Sequence, residues 1–223
     1  MPRPLPLPAF QAAEYSLDHF RVRARRQPHR SRRVAQIVNP LSACNVLLGR
    51  KPRPRRIVFI SSATHDPEQW TGTLAPMEDS VFSLARPDPD AESARTAGMR
   101  RYARTELLAV ATSAALAREH PDVHVTAFDP GLLPGTRLAR QHHAVVRALR
   151  GSVFKVLHSL PFASSPVVSG AALAASLCDD PVPARSGAYL DYRLRQVTPS
   201  QRARDISYQN GLPHDSRLLL QAI

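Results

Sequence analysis

The stretch Arg56–Ser62, RIVFISS, decides how this chain is read. Isoleucine, valine and phenylalanine follow one another with no charge among them. Such a run, bounded by polar residues, is the pattern of a strand buried on both faces of a parallel sheet. A second stretch, RRYARTELLAVATSAALARE from Arg100 to Glu119, belongs with it. Leu107, Leu108, Val110, Ala111, Ala114, Ala115 and Leu116 give a broad apolar face, so a helix is predicted over Met99–Glu119. The alanines allow close packing. VHVTAF, Val123–Phe128, is the next strand, stopped by Asp129-Pro130-Gly131.

Working outward, helices are predicted at about 142–158 and 167–178, and SGAYLDY around Tyr189 reads as a last short strand. Strand, helix, strand, helix, helix, strand argues an α/β fold with a parallel sheet and flanking helices. Residues 63–98, rich in Pro, Asp and Thr, read as a long loop. From Arg193 onward the chain is polar and is predicted to be a frayed helix and tail, with 196–223 set apart as a C-terminal tail. Residues 34–48 are apolar and broken by Pro40, which suits a short helix or a pair of strands.

The net charge of +12 is unevenly placed. Residues 1–56 hold 13 Lys+Arg against 2 Asp+Glu, whereas the remainder holds 17 against 16. The basicity therefore belongs to one segment, 1–55, which is read as irregular: prolines open it, and RVRARRQPHRSRR follows. Such an arm attracts phosphate without sequence specificity, but the domain itself carries no nucleic-acid signal, and a nucleic-acid partner is not expected. Two cysteines, Cys44 and Cys178, make neither a disulfide framework nor a metal site, so a reducing cytoplasm is expected. No apolar run reaches 18 residues, so no membrane span is expected, nor is a signal peptide.

Three features converge on chemistry. One strand ends in Ser61-Ser62, a helix carries Tyr102 near its start, and the next strand ends in DPGLLPGT, residues 129–136. In a parallel α/β sheet, ligands bind beyond the carboxyl ends of the strands, which puts Ser62 and the Pro130-Gly131 turn on one edge. In the order and spacing of RIVFISSATHDP, RRYARTELLAV, VHVTAFDPGLLPGTRLAR and SGAALAASLCDDP with SGAYLD, the chain resembles the short-chain dehydrogenase/reductase family. The likeness is greatest to its protochlorophyllide-reductase-like and retinol-dehydrogenase-like branch, and it covers about residues 56–191. It implies a partial Rossmann-like sheet, NAD(P) as cofactor and a small-molecule carbonyl or alcohol as substrate. It also implies that Ser62 bonds the substrate carbonyl and that Tyr102 is the general acid. Pro130, Gly131 and Thr136 would line the nicotinamide and its phosphates.

Two departures stand against the activity. The family places a lysine four residues after the tyrosine, one turn on along the same helix face. That cation lowers the phenol pKa and holds the cofactor ribose. Here the position is Glu106, which should raise the Tyr102 pKa and repel phosphate. The first glycine of the chain is Gly49, so no glycine-rich turn precedes it to let the backbone approach a pyrophosphate. The sequence thus predicts an impaired enzyme, with a divergent or frame-shifted segment before residue 56. The rival readings are a non-catalytic remnant or interaction module and, behind it, a binder of nucleic acid through the basic arm. A sheet lacking strands should expose an edge and favour a homo-oligomer. His142-His143 has no metal-ligand spacing, and His65 and Asp66 read as loop residues, not as a triad with Ser62.

Overall fold

The computed structural model describes residues 44, 47–49, 51–69, 94–133 and 163–221. Strand β1 runs Arg56–Ile60, helix α1 Ala94–Glu119 and strand β2 His124–Phe128. Helix α2 is Pro166–Cys178, followed by the short strands β3, Tyr189–Leu190, and β4, Gln196–Val197. Helices α3, Gln201–Arg204, and α4, Ile206–Gln221, close the described chain.

The strands form one sheet in the order β1-β2-β3-β4. β1 and β2 are parallel, with Arg56 opposite His124 and Ile60 opposite Phe128. β2 and β3 are also parallel, with Phe128 opposite Leu190. Alternation along the strands divides the core into two layers. Phe59, Val125, Ala127 and Tyr189 face Leu107, Val110 and Leu116 of α1. Phe128, Leu190 and Val58 face Ala172 and Leu173 of α2 on the other side. The parallel strands around an Ala/Leu-faced helix are as predicted, and the general α/β class holds.

The expectation of a wholly parallel sheet is corrected at β4, which pairs antiparallel with β3, Tyr189 opposite Val197. Five residues separate the two strands, too few for a crossover, so the chain can only turn back on itself. Asp191 builds that turn. Its Oδ1 accepts the N–H of Arg193 at 2.8 Å and of Arg195 at 3.0 Å. Its Oδ2 takes the Arg195 guanidinium at 2.8 and 2.6 Å.

The polar segment read as a frayed tail is likewise ordered into structure. Ser200 caps α3 by accepting the Ala203 N–H, and Asp205 accepts the N–H groups of Ser207 and Tyr208 at the start of α4. These side chains are polar because they close helix ends. Between them Ala203 and Leu212 are buried. Helices α3 and α4 pack on α1, which is therefore covered from two sides. That is why Ala103 and Ala111 are both fully buried. The helix also starts five residues before the predicted Met99. The predicted α2 is found one residue longer at its start, with Ser165 capping Val168 N–H. The helix predicted at 142–158 lies outside the described residues. No helix among the described residues is long and apolar enough to cross a membrane.

Candidate functional site

The carboxyl ends of β1 and β2 are tied together one residue beyond the strands. Ser61 N–H donates to the Phe128 carbonyl at 2.8 Å, and its hydroxyl donates to the Glu106 carbonyl of α1 at 3.0 Å. Ser62 follows in extended backbone and turns the chain into a single 3-10 turn, Ala63–His65. Its Oγ accepts the Thr64 N–H at 3.3 Å, so it acts as a cap. The same hydroxyl meets the Tyr102 phenol, which projects from α1.

Glu106 lies one helical turn below Tyr102, against its hydroxyl and beside Ser61. Both groups are disturbed. Burial pushes the Tyr102 phenol up to about 12, and the neighbouring Glu106 carboxylate pushes the same way. Burial also raises Glu106 to about 7, with Asp129 adding to the effect against the hydrogen bonds of Ser61 and Tyr102. Near neutral pH, Tyr102 is therefore a neutral donor and Glu106 is shared between acid and carboxylate.

Asp129 clamps the two strand ends. One oxygen accepts the Ala63 N–H at 3.1 Å, and the other accepts the Gly131 N–H at 2.8 Å. Gly131 has φ 72°, the left-handed backbone this Asx turn requires. Burial raises the Asp129 carboxyl, opposed by those two N–H groups. Tyr189 of β3 stands behind, 3% exposed, its phenol raised by burial and by Asp129. The hydroxyl faces Asp129 but has no hydrogen-bond partner of good geometry.

His65 is the largest departure from the sequence reading. Expected in a loop, it is fully buried. Its Nδ1–H donates to the Ser62 carbonyl at 2.8 Å, and Nε2 accepts the Ser200 N–H at 3.2 Å. The two bonds fix one neutral tautomer. Burial lowers its pKa, which keeps the ring uncharged. Its ring meets Tyr189 edge to face at 4.9 Å. Asp66, also buried, accepts from the Glu68 N–H and the Gln69 side chain.

The structure thus brings Ser62, Tyr102, Glu106, Pro130 and Gly131 to one edge, and adds Ser61, His65, Asp129 and Tyr189. Pro130 serves as an acceptor: its carbonyl takes the Ser169 hydroxyl of α2 at 2.6 Å. Thr136 lies outside the described residues. Among the described residues, no three His, Cys, Asp or Glu side chains are grouped to hold a metal ion. Both cysteines are free, Cys44 buried with its thiol pushed up to about 11 by burial, and Cys178 exposed. No protein-family model and no curated protein matches the chain.

Proposed function

We propose that this protein is a catalytically impaired relative of the NAD(P)-dependent short-chain dehydrogenases/reductases, its sheet a partial Rossmann-like one. The observation that carries the reading is the meeting of Ser62 and Tyr102 beyond the carboxyl ends of two adjacent parallel strands. Two hydroxyls converging there can donate to one carbonyl oxygen, which is the arrangement a carbonyl substrate needs.

The cofactor itself supplies or accepts a hydride when bound. The residues present do not fit it. Where the pyrophosphate and ribose need N–H donors and a cation, the cleft offers Glu106 and Asp129, and no glycine precedes Gly49 in the chain. Tyr102, held near 12, keeps its proton rather than releasing it to a product oxygen. Carbonyl binding without hydride transfer is the conclusion. Fluorescence titration with NADPH and NADH, then an aldehyde panel, tests it. No saturable cofactor binding in the micromolar range and no turnover are expected. Micromolar binding, with turnover abolished in Tyr102→Phe, would show a working oxidoreductase.

A further inference from the structure

One buried imidazole joins two parts of the fold that lie far apart in sequence. His65 belongs to the turn that follows β1, and Ser200 opens α3. Both are buried, as is Tyr189 beside the ring. His65 Nδ1 lies 2.8 Å from the Ser62 carbonyl, which can only accept, so this nitrogen carries the proton. Nε2 lies 3.2 Å from the Ser200 nitrogen, whose N–H can only donate, so Nε2 is the bare one. Ser200 in turn starts the helix. Its carbonyl accepts the Arg204 N–H at 3.2 Å, and its hydroxyl accepts the Ala203 N–H at 3.3 Å. The Gln209 side chain of α4 donates to the Ala203 carbonyl at 2.6 Å, so α3 and the start of α4 form one unit.

We propose that His65 is a pH-sensitive latch: its neutral ring holds α3 and α4 to the turn after β1, and a proton on Nε2 releases them. An imidazolium has N–H donors on both nitrogens and no acceptor. Once protonated, Nε2–H confronts the Ser200 N–H, donor against donor, and a buried N–H without an acceptor is costly. Nδ1–H keeps the Ser62 carbonyl in both states. The release is therefore one-sided: α3 loses its hold while the turn keeps its shape.

The surroundings set the sign. Burial holds the ring below the ordinary histidine value of 6.5, and it outweighs the Ser62 carbonyl, Asp66 of the same turn and Asp129 from the end of β2, which favour the charged ring. β3 presents Tyr189, whose ring meets the imidazole edge to face. Helix α1, which packs on the turn, brings Tyr102 to Ser62 and Glu106 to Ser61, and its Arg104 acts on Tyr208 of α4. In α3, Arg202 pairs with Asp205 at 3.0 Å, and Arg204 donates to the Pro199 carbonyl at 3.1 Å. The latched ring binds a proton less readily than the released one. The latch is therefore at full strength above about 6.5 and weakens as pH falls below it. The device stands apart from the oxidoreductase reading, since it uses neither cofactor nor substrate.

The test is amide hydrogen exchange of the full chain, followed by NMR between pH values of about 7.5 and about 5 and corrected for the intrinsic pH dependence of exchange. Protection of the Ser200, Ala203, Arg204 and Gln209 amides should fall below a pH of about 6.5, by up to about tenfold per pH unit, the limit for one proton. The Asp66 amide of the turn and the Ala127 and Asp129 amides of the sheet should show no matching fall. In His65→Gln, whose side chain has a donor and an acceptor but nothing to titrate, the fall in α3 should vanish. Should that variant not fold, the ring nitrogen shifts of the wild type give an independent reading: the Nδ1–H tautomer at a pH of about 7.5 and a titration midpoint below about 6.5. Constant α3 protection, a fall shared equally by the turn and the sheet, an undiminished fall in His65→Gln, the opposite tautomer, or a ring midpoint at or above about 6.5 would overturn the proposal.

Discussion

Glu106→Gln should make this protein more stable at alkaline pH. The wild-type carboxyl is held protonated up to about 7, against 4.5 for a solvated glutamate, chiefly by burial. A group with a raised folded-state pKa binds its proton more tightly when folded. Its contribution is fully present below about 4.5 and is lost as pH rises through about 7. At about 1.4 kcal/mol per pH unit, the loss reaches about 3 kcal/mol, an upper figure because Glu106 is half-buried, not sealed. That is a large share of the stability of an ordinary domain. The glutamine keeps the shape and cannot ionise, so it should lack the Glu106 share of the fall in unfolding free energy between pH values of about 5 and 8. The assay is urea unfolding of both proteins at half-unit pH steps, with the denaturant slope checked for constancy. The curves should converge near the acid end and separate by up to about 3 kcal/mol at the alkaline end. Asp129, raised in the same direction, leaves a common slope in both. A variant equal to or weaker than wild type at a pH of about 8.5 would refute the account of Glu106 as a buried, disfavoured charge.

Two further outcomes follow from the same residues. His65→Phe should cost about 1–3 kcal/mol in urea unfolding, because it fills the space but strands the buried Ser200 N–H, while the Ser62 carbonyl keeps the backbone N–H of residue 65; no loss would mean that the ring only fills volume. Asp191→Ala should cost about 1.5–3 kcal/mol, the range for hydrogen bonds to a charged group. Burial pushes Asp191 up, but Arg195 and the turn N–H groups outweigh it and hold its pKa below the usual value. Its stabilisation is therefore present at neutral pH and fades as the medium is acidified through that lowered pKa, whereas the variant should lack that acid limb.

Which parts of the fold could be read in advance depended on how far apart the deciding residues lie. β2 was legible because burial on two faces favours an apolar run. β1 carries a similar run although it lies at the edge of the described sheet, with Phe59 its one buried residue and Ile60 exposed, so its expected burial on both faces is corrected. The Arg56–Ile60 and His124–Phe128 ladders need no distant information. His65 was illegible for the opposite reason. Its neighbours Asp66 and Glu68 are charged and Pro67 is a turn former, and what buries it is Ser200 and Tyr189, more than 120 residues away along the chain. The same holds beyond Arg193. Ser200, Asp205 and Gln209 look like solvent-facing residues in one dimension, yet they cap helices or bond the interior, as Gln209 does to the Ala203 carbonyl at 2.6 Å. The cue available was Ser200 and Asp205 at cap spacing ahead of helical segments.

At the cleft, the i, i+4 relation of Tyr102 and Glu106 could be read directly, and so could its sign: a carboxylate beneath a phenol raises the phenol. What one helix could not show is that the effect is mutual and shared with Asp129, which arrives from the end of β2 and raises Glu106 in turn. A cluster of acids drawn out of water sheds its excess charge by taking up a proton. With Glu106 raised to about 7, that uptake falls within ordinary conditions. Glu106→Gln makes the protonated solution permanent, so it should gain stability at alkaline pH. A variant that gained none would show that Glu106 is not the disfavoured charge that its position beneath Tyr102 makes it.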